Sequence, residues 1–333
     1  MDGWSDAAAL TVALPAHIQS LIETGQRRRR EGYRGRFAPS PTGALHRGNL
    51  RTALLSWLEA RLSGGAWLLR HDDLDTPRNR PGAIEAIEAD LLWLGLHWDG
   101  PALRQSRRRG LYGSVLSALR RAGLLYPCRC SRRLLADVSA PHGRWPVYPG
   151  WCRQRAPVWG PEQGRLPSWR LRLPPGPLGW QERYGPPGRC DAATDVGDVV
   201  LRRADGFLAY HLATAVDELT LGISDVLRGA DLWPATAAQV GVMAALGFAP
   251  PRYGHVPLWC DEAGRRLSKR SADEGLEGLR ARGLDAPGVI GALAASAGLV
   301  AAGARISAAE LCEELTLERF QQLLRRAALA AKT

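Results

Sequence analysis

The 333 residues, 45% hydrophobic and 23% charged, suffice for a sizeable core or two domains and match an ordinary soluble globular protein. No apolar run is long enough to cross a bilayer, and no basic segment precedes the short apolar stretch near the start. Membrane-spanning and secretory readings are therefore excluded, and a cytoplasmic monomer is expected. The net charge of +11 favours a polyanionic partner such as a nucleic acid.

In chain order, residues 1–33 read as an N-terminal extension whose run Arg27–Arg30 is expected to be a solvated basic tail. Residues 34–125 read as the first half of an α/β domain. Gly35–Ala38 is predicted as a short buried strand, and Pro39–Gly43 as a loop that cannot be helical. From Asn49, apolar residues at Leu50, Ala53, Leu54, Trp57 and Leu58 repeat with the period of an amphipathic helix. Ser63-Gly64-Gly65 ends it, and Ala66–Arg70 follows as a strand. Strand, helix, strand in that order implies a parallel βαβ unit. Helical patterns follow near Gly82–Leu94 and Arg109–Ala122.

Composition changes near Tyr126. Residues 126–206 are rich in Pro, Gly, Trp and Arg, with strand-like pieces at Ser168–Leu173 and Val199–Arg202, and read as an inserted domain. The α/β character returns over residues 207–260, with patterns at Leu208–Val216 and Asp231–Leu246. Residues 261–333 read as a loop followed by a small helical module.

Two segments carry nucleotide chemistry. Pro39 to Asn49 lies between the first strand and its helix, where ligands of open α/β sheets sit and where a helix N-terminus attracts phosphate. There His46 can donate to phosphate oxygens, Gly48 permits close approach, and Asn49 can cap the helix or bind ligand. Far downstream comes Gly264-Arg265-Arg266-Leu267-Ser268-Lys269-Arg270. Lysine occurs only at Lys269 and Lys332 in a chain that otherwise uses arginine, so Lys269 reads as a compact ammonium aimed at phosphate.

This pair, in this order and separation, resembles the HIGH and KMSKS motifs of class I aminoacyl-tRNA synthetases. Arg36–Gly43, Arg70–Asp75, Ala209–Ala213 and Val226–Leu232 narrow the resemblance to the glutamyl/glutaminyl subclass, over roughly Gly35 to Lys269. The resemblance implies an α/β fold with a Rossmann-like parallel sheet, a zinc-containing insertion and a small helical C-terminal module. It implies ATP, with Mg2+, as a substrate and His46, Gly48, Asn49 and Lys269 as the catalytic and ATP-binding residues. It sets the glutamate site along Arg36, Phe37, Ala38, Pro39 and Ser40. Arg36 and Arg228 would contact the side-chain carboxylate, Ser40 and Tyr210 would supply hydrogen bonds, and Asp72 would face the α-ammonium. Two departures stand out: Asp72 occupies a position where the family has glutamate, and Arg266 replaces the first lysine of KMSKS.

Cys128, Cys130 and Cys152 cluster in the insertion, and three thiolates in a Pro/Gly-rich segment suggest one structural zinc ion. Chemistry alone would choose His142 as fourth ligand, whereas the resemblance points to Tyr148. Arg129 to Arg133 could hold an RNA backbone. The short stretch beyond the second motif resembles the branch of the family that activates L-glutamate without tRNA and transfers it to queuosine in the anticodon loop of tRNA-Asp. Alternatives are a truncated synthetase that charges a tRNA 3′ end and a HIGH-type nucleotidyltransferase.

Overall fold

The computed structural model describes residues 12–136, 147–259 and 275–330. The first element is helix α1 (Ala16–Glu31), which corrects the expectation of a solvated tail. Its buried Ile18 and Ile22 join the same core as the later helices, each residue contributing about 1.5–3 kcal/mol by burial. Arg29, inside the basic run, donates to the carbonyls of Ala249 (2.8 Å) and Glu218 (3.0 Å). A backbone carbonyl has no net charge, so Arg29 serves there as a half-buried donor rather than as a polyanion contact.

Strand β1 (Arg34–Phe37), helix α2 (Arg47–Leu62) and strand β2 (Ala66–His71) form the expected unit, with β1 and β2 parallel and Arg36 in register with Leu68. Helix α3 (Ala83–Trp93) leads to the short strand β3 (Leu103–Arg104), which pairs parallel with β2. Helix α4 (Arg109–Arg121) precedes the insertion, which carries β4 (Leu125–Cys128), α5 (Arg132–Ala136), β5 (Ser168–Leu171), β6 (Pro177–Trp180), β7 (Gly188–Asp191) and β8 (Val199–Arg202). Strands β4, β5 and β8 form one antiparallel sheet, and β6 and β7 a hairpin. Then come α6 (Tyr210–Thr220), β9 (Asp225–Gly229), α7 (Trp233–Ala245) and β10 (Arg252–Val256), with β9 and β10 parallel. β9 is tied to β1 where Ser224 N–H meets the Arg34 carbonyl (3.0 Å). Helices α8 (Leu276–Ala281), α9 (Ala286–Ser296), α10 (Ala308–Glu314) and α11 (Leu317–Ala330) complete the chain.

Neighbouring residues of a strand face opposite sides of its sheet. Trp67, Leu69, Leu227 and Val256 enter one core with α2 and α9 to α11, while Leu68, Val226 and Tyr253 enter another with α1, α4, α6 and α7. Both faces of the parallel strands are therefore covered, as such strands require.

The second core also takes Leu171, Leu173, Leu178, Trp180 and Val199 from the insertion. After β6 the chain runs against β10: Tyr253 N–H donates to the Gln181 carbonyl (2.9 Å) and Arg183 N–H to the Tyr253 carbonyl (2.7 Å). Arg183 pairs with Glu59 of α2 (3.0 Å) and Asp225 of β9 (2.8 Å), and the Tyr33 and Tyr184 hydroxyls donate to Glu59. The insertion is thus sewn into the catalytic sheet. Among the described residues, no helix is long and apolar enough to cross a membrane.

Candidate active site

The carboxyl ends of β1, β2, β9 and β10 open onto a cavity of about 320 Å³. Its walls come from Arg36 and Phe37 of β1 and positions 38–52 beyond it, Asp72 after β2, Tyr210 of α6, 227–229 of β9 with 231–232 beyond it, and 257–259 after β10. This is the position in which open parallel sheets take ligands. The structure brings together Arg36, Phe37, Ala38, Pro39, Ser40, His46, Gly48, Asn49, Asp72, Tyr210 and Arg228 in this wall. Lys269, with Arg266, lies outside the described residues.

His46, not Asn49, caps α2. Its Nδ1 accepts from the Asn49 backbone N–H at 3.2 Å, so the helix starts two residues before the apolar repeat indicated. An imidazole that accepts at Nδ1 carries its neutral-state proton on Nε2, the nitrogen suited to a phosphate oxygen. Gly48 serves this arrangement as well as nucleotide approach. A Cβ there would lie 3.1 Å from the His46 ring and press it out of place.

The two arginines differ. Arg36 is buried against Glu218, with Nη2 and Nε at 2.8 and 3.1 Å from the same carboxylate oxygen. Arg228 is equally buried, yet its partners are Gln239 (2.9 Å), Thr236 (2.6 Å) and the His255 Nε2 (3.2 Å), none of them an acid. Its guanidinium also lies over the Tyr253 ring at 4.9 Å. A buried guanidinium bound by neutral groups is costly until an anion arrives.

Asp72 lines the cavity, but its carboxylate is held by Arg70 through two bonds of 2.7 and 3.2 Å. Burial raises its affinity for a proton, and Arg70 opposes that rise. Arg70 in turn faces Asp217 at 3.5 Å, and Asp217 is bound by Arg108, Gln105 and Tyr112. The shorter acid is fixed from behind by this network. Sequence reading missed Glu218, Arg70 and Asp217, because each acts on a motif residue from behind the cavity wall.

Beside Tyr210, His211 is half-buried, and the loss of water around its ring, with the nearby Arg228 charge, lowers its pKa to about 4. The unfolded chain takes up this proton near pH 6.5, whereas the folded one does so only near 4. The unfolded state therefore binds more protons between those values, and stability is lost as pH falls from 6.5 towards 4, by about 3 kcal/mol at most from this group. His211→Gln is expected to flatten that acid slope; urea midpoints at pH 7 and pH 5 for both proteins check it.

In the insertion, the Sγ atoms of Cys128, Cys130 and Cys152 lie within 4.8 Å of one another and can hold a metal ion. The Tyr148 hydroxyl is 3.4 Å from Cys128 and 3.6 Å from Cys130, and Cys130 is 3.7 Å from Cys152. Burial raises the Cys152 thiol, but hydrogen bonds from Tyr148 and the Arg129 backbone outweigh it and lower the pKa to about 7. The Arg170 guanidinium sits 3.7 Å over the Tyr148 ring. His142 lies outside the described residues.

The family model described as tRNA synthetases class I (E and Q), catalytic domain, matches residues 33–288. A protein named Glutamyl-Q tRNA(Asp) synthetase from Prochlorococcus marinus (strain MIT 9313) is 58% identical over 92% of this chain and 95% of its own. Another of that name, from Synechococcus sp. (strain CC9605), is 58% identical over 94% of this chain and 100% of its own. The solved glutamate-tRNA synthetase from Elizabethkingia anophelis superposes with a TM-score of 0.71 at 28% identity, over 86% of this chain; the match spans 66% of that protein's length. Mycobacterium tuberculosis methionyl-tRNA synthetase in complex with methionyl-adenylate, at 13% identity and a TM-score of 0.51, shares the fold.

Proposed function

The chain belongs to the class I glutamyl and glutaminyl tRNA synthetase family, and from that membership we propose that it activates L-glutamate with ATP and transfers it to queuosine in the anticodon loop of tRNA-Asp. The relatives that match nearly the whole chain bear the name of that activity. The observation that carries the glutamate step is the cavity's charge layout. The side-chain partners of Arg228 are neutral, Arg36 lines the same cavity, and Asp72 occupies its wall. Glutamate, with two carboxylates and one ammonium, complements that layout.

In the first step a carboxylate oxygen of glutamate attacks the α-phosphorus of ATP in line and pyrophosphate leaves. His46 Nε2–H and Lys269 stabilise the charge that develops on the phosphate oxygens, and Mg2+ enters with ATP. In the second step a hydroxyl of the tRNA attacks the glutamyl carbonyl and AMP leaves. The exposed guanidiniums of Arg133, Arg155, Arg165 and Arg189 in the insertion would offer phosphate contacts to an RNA, whereas Arg129 is paired with Glu162 (2.9 Å).

The metal of the insertion is read as zinc. A zinc tetrahedron with Zn–S bonds of about 2.3 Å and a Zn–O bond of about 2.0 Å has S···S edges near 3.8 Å and S···O edges near 3.5 Å. The edges of 3.7, 3.4 and 3.6 Å match. Cys128, Cys130, Tyr148 and Cys152 would then form a closed structural site, and no chemical step runs through it.

Pyrophosphate exchange with each amino acid, with and without tRNA, tests the first step. Glutamate-dependent exchange without tRNA is the expected result. Exchange that requires tRNA would favour a synthetase charging a 3′ end, and exchange with no amino acid would end the synthetase reading. Queuosine-containing tRNA-Asp is expected to accept glutamate, whereas the unmodified tRNA is not.

A further inference from the structure

The Arg228 side chain is held by three side chains, and one of them is fixed in turn by a residue from another part of the chain. His255 of β10 accepts the Arg228 Nε–H at its Nε2 (3.2 Å). The opposite nitrogen, Nδ1, is 2.6 Å from Glu182 Oε2, and Glu182 Oε1 accepts the His255 backbone N–H at 2.9 Å. Glu182 and His255 are both buried, at 6% and 4% side-chain exposure. Neither lines the cavity itself, and the mechanism above uses neither.

We propose that Glu182 and His255 are positioning residues for the substrate's side-chain carboxylate, acting through Arg228; this rests on the glutamate reading given above. A carboxylate can only accept, so Glu182 fixes the neutral His255 proton on Nδ1 and turns Nε2 into an acceptor. That acceptor takes Nε–H, while Gln239 and Thr236 take one N–H each from Nη1 and Nη2. Among the described residues three of the five guanidinium donors are thereby occupied, leaving one on each terminal nitrogen. Two such donors side by side match a carboxylate in bidentate fashion. With the other tautomer, His255 Nε2–H would confront Arg228 Nε–H donor to donor, and the guanidinium would rotate out of register.

The surroundings support this state. Burial, the Arg228 charge and the more distant Arg36 lower the His255 pKa, while Glu182 opposes them, and the Tyr253 ring stacks on the imidazole at 6.0 Å. Glu182 belongs to the segment that runs beside β10, so the insertion reaches the specificity site through this one side chain.

Glu182→Gln keeps the shape and inverts the relay. Its amide oxygen can still accept the backbone N–H, but its NH2 then meets Nδ1 and forces the proton to Nε2. The KM for glutamate is expected to rise about ten- to a hundredfold, with the KM for ATP unchanged. Adding His255→Gln, whose amide oxygen can stand where Nε2 stood, is expected to restore it. A merely structural role would shift both KM values or neither, and either result overturns the proposal. NMR of protein with 15N-labelled histidine separates this from the substrate assignment. The Nδ1–H tautomer of His255 is expected, switching to Nε2–H in Glu182→Gln. An Nε2–H tautomer in the unsubstituted protein overturns the relay whatever the substrate. Failure of the unsubstituted protein to support glutamate-dependent exchange overturns the substrate reading, while the tautomer result still decides the relay.

Discussion

Arg228→Gln is expected to raise the KM for glutamate about a hundredfold or more while the KM for ATP stays within about twofold. The guanidinium is nearly buried and its hydrogen-bond partners among the described residues are neutral, so its charge is available to an incoming carboxylate. Glutamine retains much of the volume and some of the hydrogen bonding but removes the charge. Arg36→Gln should behave differently. Glu218 is fully buried, and losing Arg36 strands its carboxylate, which costs about 3–5 kcal/mol of stability. The melting temperature should therefore fall along with glutamate affinity, and Arg36→Gln combined with Glu218→Gln should regain the stability without the affinity. Pyrophosphate-exchange kinetics and thermal melts of the three variants check this. Equal losses of glutamate affinity without any difference in stability would contradict the division of labour.

Removal of the metal by a chelator is expected to lower the melting temperature by about 10 °C or more, because folding and metal binding are coupled in a closed site. Tyr126, Cys128, Tyr148 and Cys152 form only a small apolar cluster of their own. Without the ion, three thiols and a phenol would pack together with little else to hold the Tyr148–Cys152 turn. Cys152→Ser should reproduce the chelator's effect. Tyr148→Phe should weaken zinc about ten- to a hundredfold in a competition titration, yet leave the three thiolates bound. Unchanged affinity in Tyr148→Phe would remove the phenol from the ligand set and return His142 to it.

Much of this was legible in the chain. The βαβ unit, the loop at Pro39–Gly43 and the helix after it follow from apolar period and from Pro and Gly, which act locally. β8 matches its predicted limits, and α3 and α4 fall within one residue of theirs. The cavity residues that were readable fall in four short stretches, Arg36–Asn49, Arg70–Asp75, Ala209–Ala213 and Val226–Leu232. What escaped was everything that depends on distant partners. Strands β9 and β10 are short and buried, without the alternation that marks a half-exposed strand. Gly254 interrupts β10 because the Tyr184 ring lies where a side chain would be. Glu218 and Glu182 read as ordinary surface acids until folding sets them against Arg36 and His255, from 182 and 73 positions away. The α1 helix escaped because four consecutive arginines outweigh two isoleucines in any local average.

The segment that runs from Leu178 to Tyr184 gives the insertion a fixed relation to the rest of the chain. Leu178 fills the core against α7, Arg183 bridges Glu59 and Asp225, and Tyr184 covers Gly254. Residues 126–206 are therefore no exchangeable cassette. Splicing in the corresponding region of a longer synthetase, or bridging it with a short linker, would take away a strand-like edge and the inward-facing Leu178, Arg183 and Tyr184. Substitutions that leave the fold intact are therefore confined to the exposed face of the insertion, with its inner edge carried along unchanged.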